Sequence, residues 1–105
     1  MDNTLNRLEA TIAARMSASP EESYVAKLNS KGIAKIAQKV GEEATETVIA
    51  ALSGSDEELV GESADLLFHL IVLLQAKGIA LDQVMTELDR REGVSGLDEK
   101  ASRSE

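Results

Sequence analysis

Residues 33–77 read IAKIAQKVGEEATETVIAALSGSDEELVGESADLLFHLIVLLQAK, and the punctuation of this stretch decides the fold. Ile33, Ile36, Ala37, Val40, Ala44, Val48, Ala51 and Leu52 recur at helical spacing and form one apolar stripe. Gly54 interrupts it. Ser55-Asp56-Glu57-Glu58 then offers a serine cap with a glutamate three residues later, the pattern in which side chain and backbone cap one another. The second run extends to about Lys77, where Gly78 supplies a stop. From Leu66 to Leu74 it is apolar all round except for His69. Two long helices meeting at a single glycine fold back as an antiparallel hairpin.

Shorter helices flank this hairpin. Leu5, Leu8, Ile12 and Met16 predict an amphipathic helix over about 3–17, capped by Asp2 or Asn3. Ser19-Pro20-Glu21-Glu22 reads as a helix start, with serine as cap and proline in the first helical position. The helix it opens carries Tyr24, Val25 and Leu28 and stops near Lys31-Gly32. Leu81, Val84, Met85 and Leu88 predict a last helix ending at Arg90-Arg91-Glu92-Gly93. The expected architecture is an all-α bundle of four to five helices over residues 1–93, followed by a polar, mobile tail over 94–105. The central apolar helix has more greasy surface than its short neighbours can cover, which predicts a two-fold homodimer.

Composition narrows the function. The 105 residues include one Pro, one Phe, one Tyr and no Cys or Trp. Aromatic-poor, Ala/Leu/Glu-rich sequence favours helices. Without cysteine there is no disulfide framework, no thiolate zinc site and no thiol nucleophile, which fits a cytoplasmic protein. The N-terminus is not a basic segment followed by an apolar one, and the run around His69 is short for a bilayer span, so a buried helix and no membrane are expected. A net charge of −8 argues against nucleic acid as a partner. Neither a phosphate-binding glycine loop nor a nucleophile elbow is present in the sequence. Water activated by a metal or a carboxylate remains.

Two acid pairs carry that chemistry. Glu43 and Glu46 lie three apart on the first long helix, Glu62 and Asp65 three apart on the second, so each pair shares a helix face. On a helical wheel Glu43 borders the apolar stripe, Glu46 sits one step further out and Glu42 points toward solvent. Solvated glutamates are common on helices. Four carboxylates straddling one turn beside an apolar core, however, repel one another and resist desolvation, and a hard divalent cation relieves both costs. An all-oxygen set suits Mg²⁺ or Mn²⁺ rather than Zn²⁺. Mg²⁺ in turn suggests phosphates. Lys27, Lys31, Lys35 and Lys39 step toward the acids four residues at a time, either as ion-pair decoration or as a line of ammonium groups for phosphate oxygens. His69 shares the face of Glu62 and Asp65; it is either a satisfied structural histidine or a group that orients a ligand.

Together these segments resemble a known family. Ser23-Tyr24-Val25-Ala26-Lys27-Leu28, then Gly32, then Lys39-Val40-Gly41-Glu42-Glu43-Ala44-Thr45-Glu46, then Glu62-Ser63-Ala64-Asp65-Leu66-Leu67-Phe68-His69-Leu70 are similar to the phosphoribosyl-ATP pyrophosphohydrolases. These belong to the all-α, MazG-like nucleotide pyrophosphohydrolases, marked by Glu-x-x-Glu followed by Glu-x-x-Asp. The resemblance runs from about Leu5 to Ser95-Gly96-Leu97 and implies an intertwined MazG-like dimer. It implies Mg²⁺-dependent hydrolysis of 1-(5-phosphoribosyl)-ATP to phosphoribosyl-AMP and pyrophosphate, the second step of histidine biosynthesis. It places the metal on Glu43, Glu46, Glu62 and Asp65, gives Glu42 the role of orienting water or holding a second ion beside the catalytic Glu43 and Glu46, and directs Lys27, Lys39 and more weakly Lys35 to substrate phosphates. Ala80 departs from the cap usual before the last helix. Arg90 and Arg91 are candidates for the phosphoribosyl group by charge alone. A house-cleaning enzyme acting on free nucleoside triphosphates is the related alternative, and a non-catalytic dimerisation module the unrelated one.

Overall fold

A computed structural model describes residues 3–93, and the polar tail expected over 94–105 lies outside the described residues. Five helices follow in order: α1 (Thr4–Arg15), α2 (Tyr24–Ser30), α3 (Ile33–Ser53), α4 (Asp56–Ala76) and α5 (Leu81–Arg91). No strand occurs among the described residues, so the all-α expectation holds. α3 and α4 are each 21 residues long and form the hairpin. α1 packs on α4, and α2 on α3 and α1.

The turn at Gly54 is tight because a side chain has no room there. A Cβ on Gly54 would stand 3.0 Å from the carbonyl oxygen of Ala50. The expected reciprocal cap forms next to it: Ser55 Oγ accepts from the Glu58 N–H at 3.1 Å, and Glu58 Oε1 accepts from the Ser55 N–H at 3.1 Å. Such a cap contributes about 0.5–2 kcal/mol. At the far end of α4, Gly78 adopts φ 73°, a left-handed conformation costly for residues with a Cβ. The Ile79 N–H then donates back to the Leu74 carbonyl at 2.9 Å and closes the helix.

Two boundaries differ from expectation for physical reasons. Ser19 caps only a single turn: its carbonyl accepts from Glu22 at 3.0 Å and Ser23 at 3.1 Å, and the chain then extends at Ser23. Ser23 is the cap of α2, its Oγ accepting from the Ala26 N–H at 3.1 Å. At α5, Ala80 has no side chain to cap with, and α1 supplies the anion instead. Glu9 Oε2 accepts from the Leu81 N–H at 2.7 Å, placing a carboxylate at a helix N-terminus.

The core gathers at one end of the hairpin. Ile12, Val25, Leu28, Ile36, Ile71, Val72 and Leu81 form one buried cluster drawn from all five helices. Ile12, Ile36 and Val72 are fully buried. The other end is bare: Val48, Ile49 and Leu52 on α3 and Val60 on α4 are exposed, Leu52 by 82%. The central helix, expected to carry more apolar surface than its neighbours can cover, is only partly buried within one chain: His69, Ile71 and Val72 are the buried residues of α4. By length and composition alone α4 could cross a membrane. Its acids at Glu57, Glu58, Glu62 and Asp65 oppose that, because charge in hydrocarbon is costly.

Candidate metal and phosphate site

The acids sit at the boundary between the packed end and the bare end. Glu43 from α3 and Glu62 and Asp65 from α4 each bring a carboxylate oxygen to within 4.8 Å of the others. Glu43 is only 7% exposed. Glu43 Oε2 and Glu62 Oε2 are buried with no hydrogen-bond partner. Unmatched buried carboxylate oxygens are costly, and a cation is the partner that satisfies several at once. Three carboxylates that close could each give an oxygen to one hard divalent ion. The fit favours a hard divalent ion.

Glu46 stands beside this trio rather than within it. It is exposed, yet its carboxyl lies within hydrogen-bonding reach of both Glu43 and Glu62. Two carboxylates that close require a shared proton or a cation between them. Glu62 shows the consequence: its hydrogen bond to Glu46, then partial desolvation, then the charges of Glu46, Glu43 and Asp65 push it up to about 7. Burial first, then Glu46 and Asp65, also raises Glu43, opposed by His69.

The lysines divide. Lys39 Nζ lies 3.3 Å from Glu42 Oε1 and 3.9 Å from Glu43 Oε1, so it stands at the site. Lys35 is half-buried one turn earlier, and its charge reaches Glu42. Lys27 is exposed on α2, in an open groove of about 530 Å³ lined by Pro20, Glu21, Glu22, Ser23 and Tyr24. Glu42 faces solvent and is engaged: its Oε2 accepts from Gln38 Nε2 at 2.8 Å. The Gln38 hydrogen bond and then Lys39 hold it below the usual carboxylate range, which makes it a weak proton acceptor. Arg90 and Arg91 both bond to Glu87 on α5, at 2.7 Å and 2.9 Å.

Tyr24 has no role legible in the sequence. Its hydroxyl lies 2.8 Å from His69 Nε2, joining α2 to α4. His69 Nδ1 lies 2.8 Å from the backbone carbonyl of Asp65. Tyr24, Phe68 and His69 also pack as an aromatic trio with ring centroids 5.3–6.2 Å apart. Burial raises the Tyr24 hydroxyl, opposed by Lys39 and aided by Glu43, Asp65 and Glu42. No pattern in the sequence links positions so far apart; only the packing of α2 on the hairpin does.

Residues 5–92 match the family model of phosphoribosyl-ATP pyrophosphohydrolase. The chain belongs to that family. Among similar proteins, the phosphoribosyl-ATP pyrophosphatase of Erythrobacter litoralis is 76% identical over 103 residues, covering 98% of this chain and 99% of the relative. That of Novosphingobium aromaticivorans is 69% identical over 100 residues, 95% of this chain and 94% of its own. That of Rhizorhabdus wittichii is 61% identical over 103 residues, 98% and 97% respectively. As a pyrophosphohydrolase family member the chain is a hydrolase of all-α fold, and the acids of α3 and α4 fall well inside the matched segment.

Proposed function

We propose that the protein hydrolyses the α–β phosphoanhydride of 1-(5-phosphoribosyl)-ATP, releasing phosphoribosyl-AMP and pyrophosphate at the second step of histidine biosynthesis in the cytoplasm. The observation that carries this reading is the convergence of Glu43, Glu62 and Asp65, with two buried unpartnered oxygens, in a chain of this family. Magnesium, or manganese in its place, would be held by these three with Glu46 beside them, and would supply positive charge to the triphosphate oxygens.

The chain's own residues do the rest. Lys39, and Lys35 behind it, offset phosphate charge at the acid cluster; Lys27 does so from the groove on α2. Lys39 exchanges its carboxylate partners for phosphate oxygens, a swap that keeps its charge matched. Glu46, exposed and beside the trio, is the acid that takes the proton once the ion relieves its contact with Glu43 and Glu62. Water oxygen bonds to the α-phosphorus, its proton passes to Glu46, and the bond to the α–β bridging oxygen breaks. Pyrophosphate leaves with the electron pair. Glu42 has the supporting task of holding Lys39 in place.

The bare apolar end supports a homodimer: Val48, Ile49, Leu52 and Val60 are all exposed on the hairpin, and a second copy across a two-fold axis would cover them. The net charge of −8 speaks against nucleic acid.

The test is rescue of a histidine auxotroph lacking this step, with pyrophosphate release measured on purified protein. Phosphoribosyl-ATP is expected to be the preferred substrate over ATP and dCTP. Equal or faster turnover of free triphosphates would replace the proposal with the house-cleaning activity. Absence of any turnover, with no magnesium-dependent thermal shift, would leave a dimerisation module.

A further inference from the structure

The pairing of Tyr24 with His69 leaves the phenol oxygen with only one kind of hydrogen bond to offer the site. The Asp65 carbonyl is an acceptor, so the His69 Nδ1 beside it at 2.8 Å carries the hydrogen. In the neutral ring Nε2 is then an acceptor, and the Tyr24 hydroxyl at 2.8 Å donates to it. The proton of Tyr24 is thereby committed. Its oxygen keeps lone pairs alone, and these lie in the field of Lys39, Glu43 and Asp65.

Phosphate oxygens are acceptors too, so they gain nothing from such an atom. Lys39 stands 3.3 Å from Glu42 and 3.9 Å from Glu43, and on the reading above it turns to phosphate oxygens when substrate binds, which leaves the phenol oxygen to other donors. A water or a substrate hydroxyl is what can donate to it. The residue expected from sequence to orient water, Glu42, is turned to solvent and tied to Gln38 and Lys39. His69 is 6% exposed and cannot itself reach an incoming ligand, whereas Tyr24 is 50% exposed.

We infer that Tyr24 orients the water that attacks the α-phosphorus, and that His69 is a positioning residue that fixes Tyr24 as an acceptor by taking its proton. This rests on the hydrolytic reading of the acid cluster above. No bond in the protein changes: Tyr24 accepts a hydrogen bond from the water while the water's other proton goes to Glu46.

Two histidine replacements dissect the relay. In His69→Gln the amide oxygen reaches the position of Nε2 and still takes the Tyr24 proton; in His69→Asn the amide reaches only the Asp65 carbonyl. Steady-state kinetics are measured for wild type, Tyr24→Phe, His69→Gln, His69→Asn and the double variant Tyr24→Phe/His69→Asn. Tyr24→Phe and His69→Asn are expected to lower kcat tenfold or more with KM within about twofold, since orienting a reacting group acts on kcat. His69→Gln is expected to keep most of kcat, and the double variant to be no worse than His69→Asn alone. Calorimetric magnesium affinity is expected to be unchanged throughout. In the ion-free wild type, nitrogen-15 chemical shifts measured on the neutral ring at alkaline pH are expected to show the hydrogen on Nδ1.

A Tyr24→Phe enzyme with wild-type kcat overturns the inference. So does a rise in KM alone, which would mean a substrate hydroxyl sits there, or a hydrogen found on Nε2. Equal losses in His69→Gln and His69→Asn, tracking melting temperature, would reduce the pair to a helix-packing contact and also overturn it. Wild-type protein that neither binds magnesium nor turns over substrate defeats the reading of the site instead, whatever the tautomer.

Discussion

Replacing Glu43 with glutamine is expected to stabilise the ion-free protein and to remove its response to magnesium, two effects of opposite sign from one substitution. Glu43 is 7% exposed, its Oε2 has no partner, and its charged form is disfavoured by burial and by Glu46 and Asp65. Glutamine keeps the shape, removes the charge, and offers an amide N–H among crowded acceptor oxygens. A buried polar group left unmatched costs about 1–3 kcal/mol, so relief of roughly that size is expected. For a domain of this length about 1 kcal/mol moves the melting temperature by 4–8 °C, so the variant should melt several degrees higher in EDTA. Wild type in magnesium at 100 times its Kd gains about 2.7 kcal/mol by mass action, and the variant little. The assay is scanning calorimetry near pH 8 at fixed protein concentration, in EDTA and in magnesium. A variant that melts lower than wild type in EDTA would refute the strained-acid reasoning, and an undiminished magnesium shift would refute Glu43 as a holder of the ion.

Four further outcomes follow from the same geometry. Glu62 is held at about 7 against an ordinary 4.5, so between those values it binds more protons in the native state than in the unfolded chain; its contribution to ion-free stability, read by denaturant titration of wild type against Glu62→Gln, should be full below about 4.5, fall as pH rises toward 7 and level off above, with saturating magnesium erasing the decline. Glu46→Gln and Asp65→Asn should lower kcat by about a hundredfold or more with helicity by circular dichroism intact, whereas Glu42→Gln, which loses only the grip on Lys39, should stay within about tenfold. Leu52→Glu combined with Val60→Glu should shift sedimentation from dimer toward monomer, since both side chains are exposed on the bare end. Ile36→Ala, at a fully buried position, should cost about 2–5 kcal/mol in denaturant unfolding.

What the sequence disclosed was what is local. Gly54, the Ser55–Glu58 cap and the Gly78 stop are each settled within a few residues, and they fix the hairpin. The three-residue spacing of the acids placed each pair on one face, and the wheel already set Glu46 further out than Glu43. How the faces of α3 and α4 meet was not legible, and that decides which carboxylates converge: Glu43 with Glu62 and Asp65, Glu46 alongside. The cap of α5 is illegible for the same reason, since Glu9 reaches Leu81 across 72 positions. Ser19 misled because two serines four apart each cap a turn, and only the second opens a helix of two turns. Tyr24 and His69, 45 positions apart, have no spacing to reveal them.

The place of the acids in the hairpin explains how so much like charge is tolerated. On one side α3 and α4 are clamped by the buried cluster around Ile36 and Val72; on the other the Gly54 turn and its cap forbid them to spread. Repulsion among Glu43, Glu46, Glu62 and Asp65 can therefore neither splay the helices nor be escaped by rotating side chains into water, because two of the oxygens are already buried. What remains is to take up a proton, as the raised Glu62 does, or a cation. Strain held at a site by well-packed surroundings is a common device for pre-organising it. A bound ion would act on the same coordinate as the clamp, the distance between α3 and α4. A cavity cut into the clamp, as in Ile36→Ala, should thus weaken magnesium affinity as well as stability, although Ile36 touches no ligand. Unchanged magnesium affinity in that variant would mean the acids are held by the turn alone.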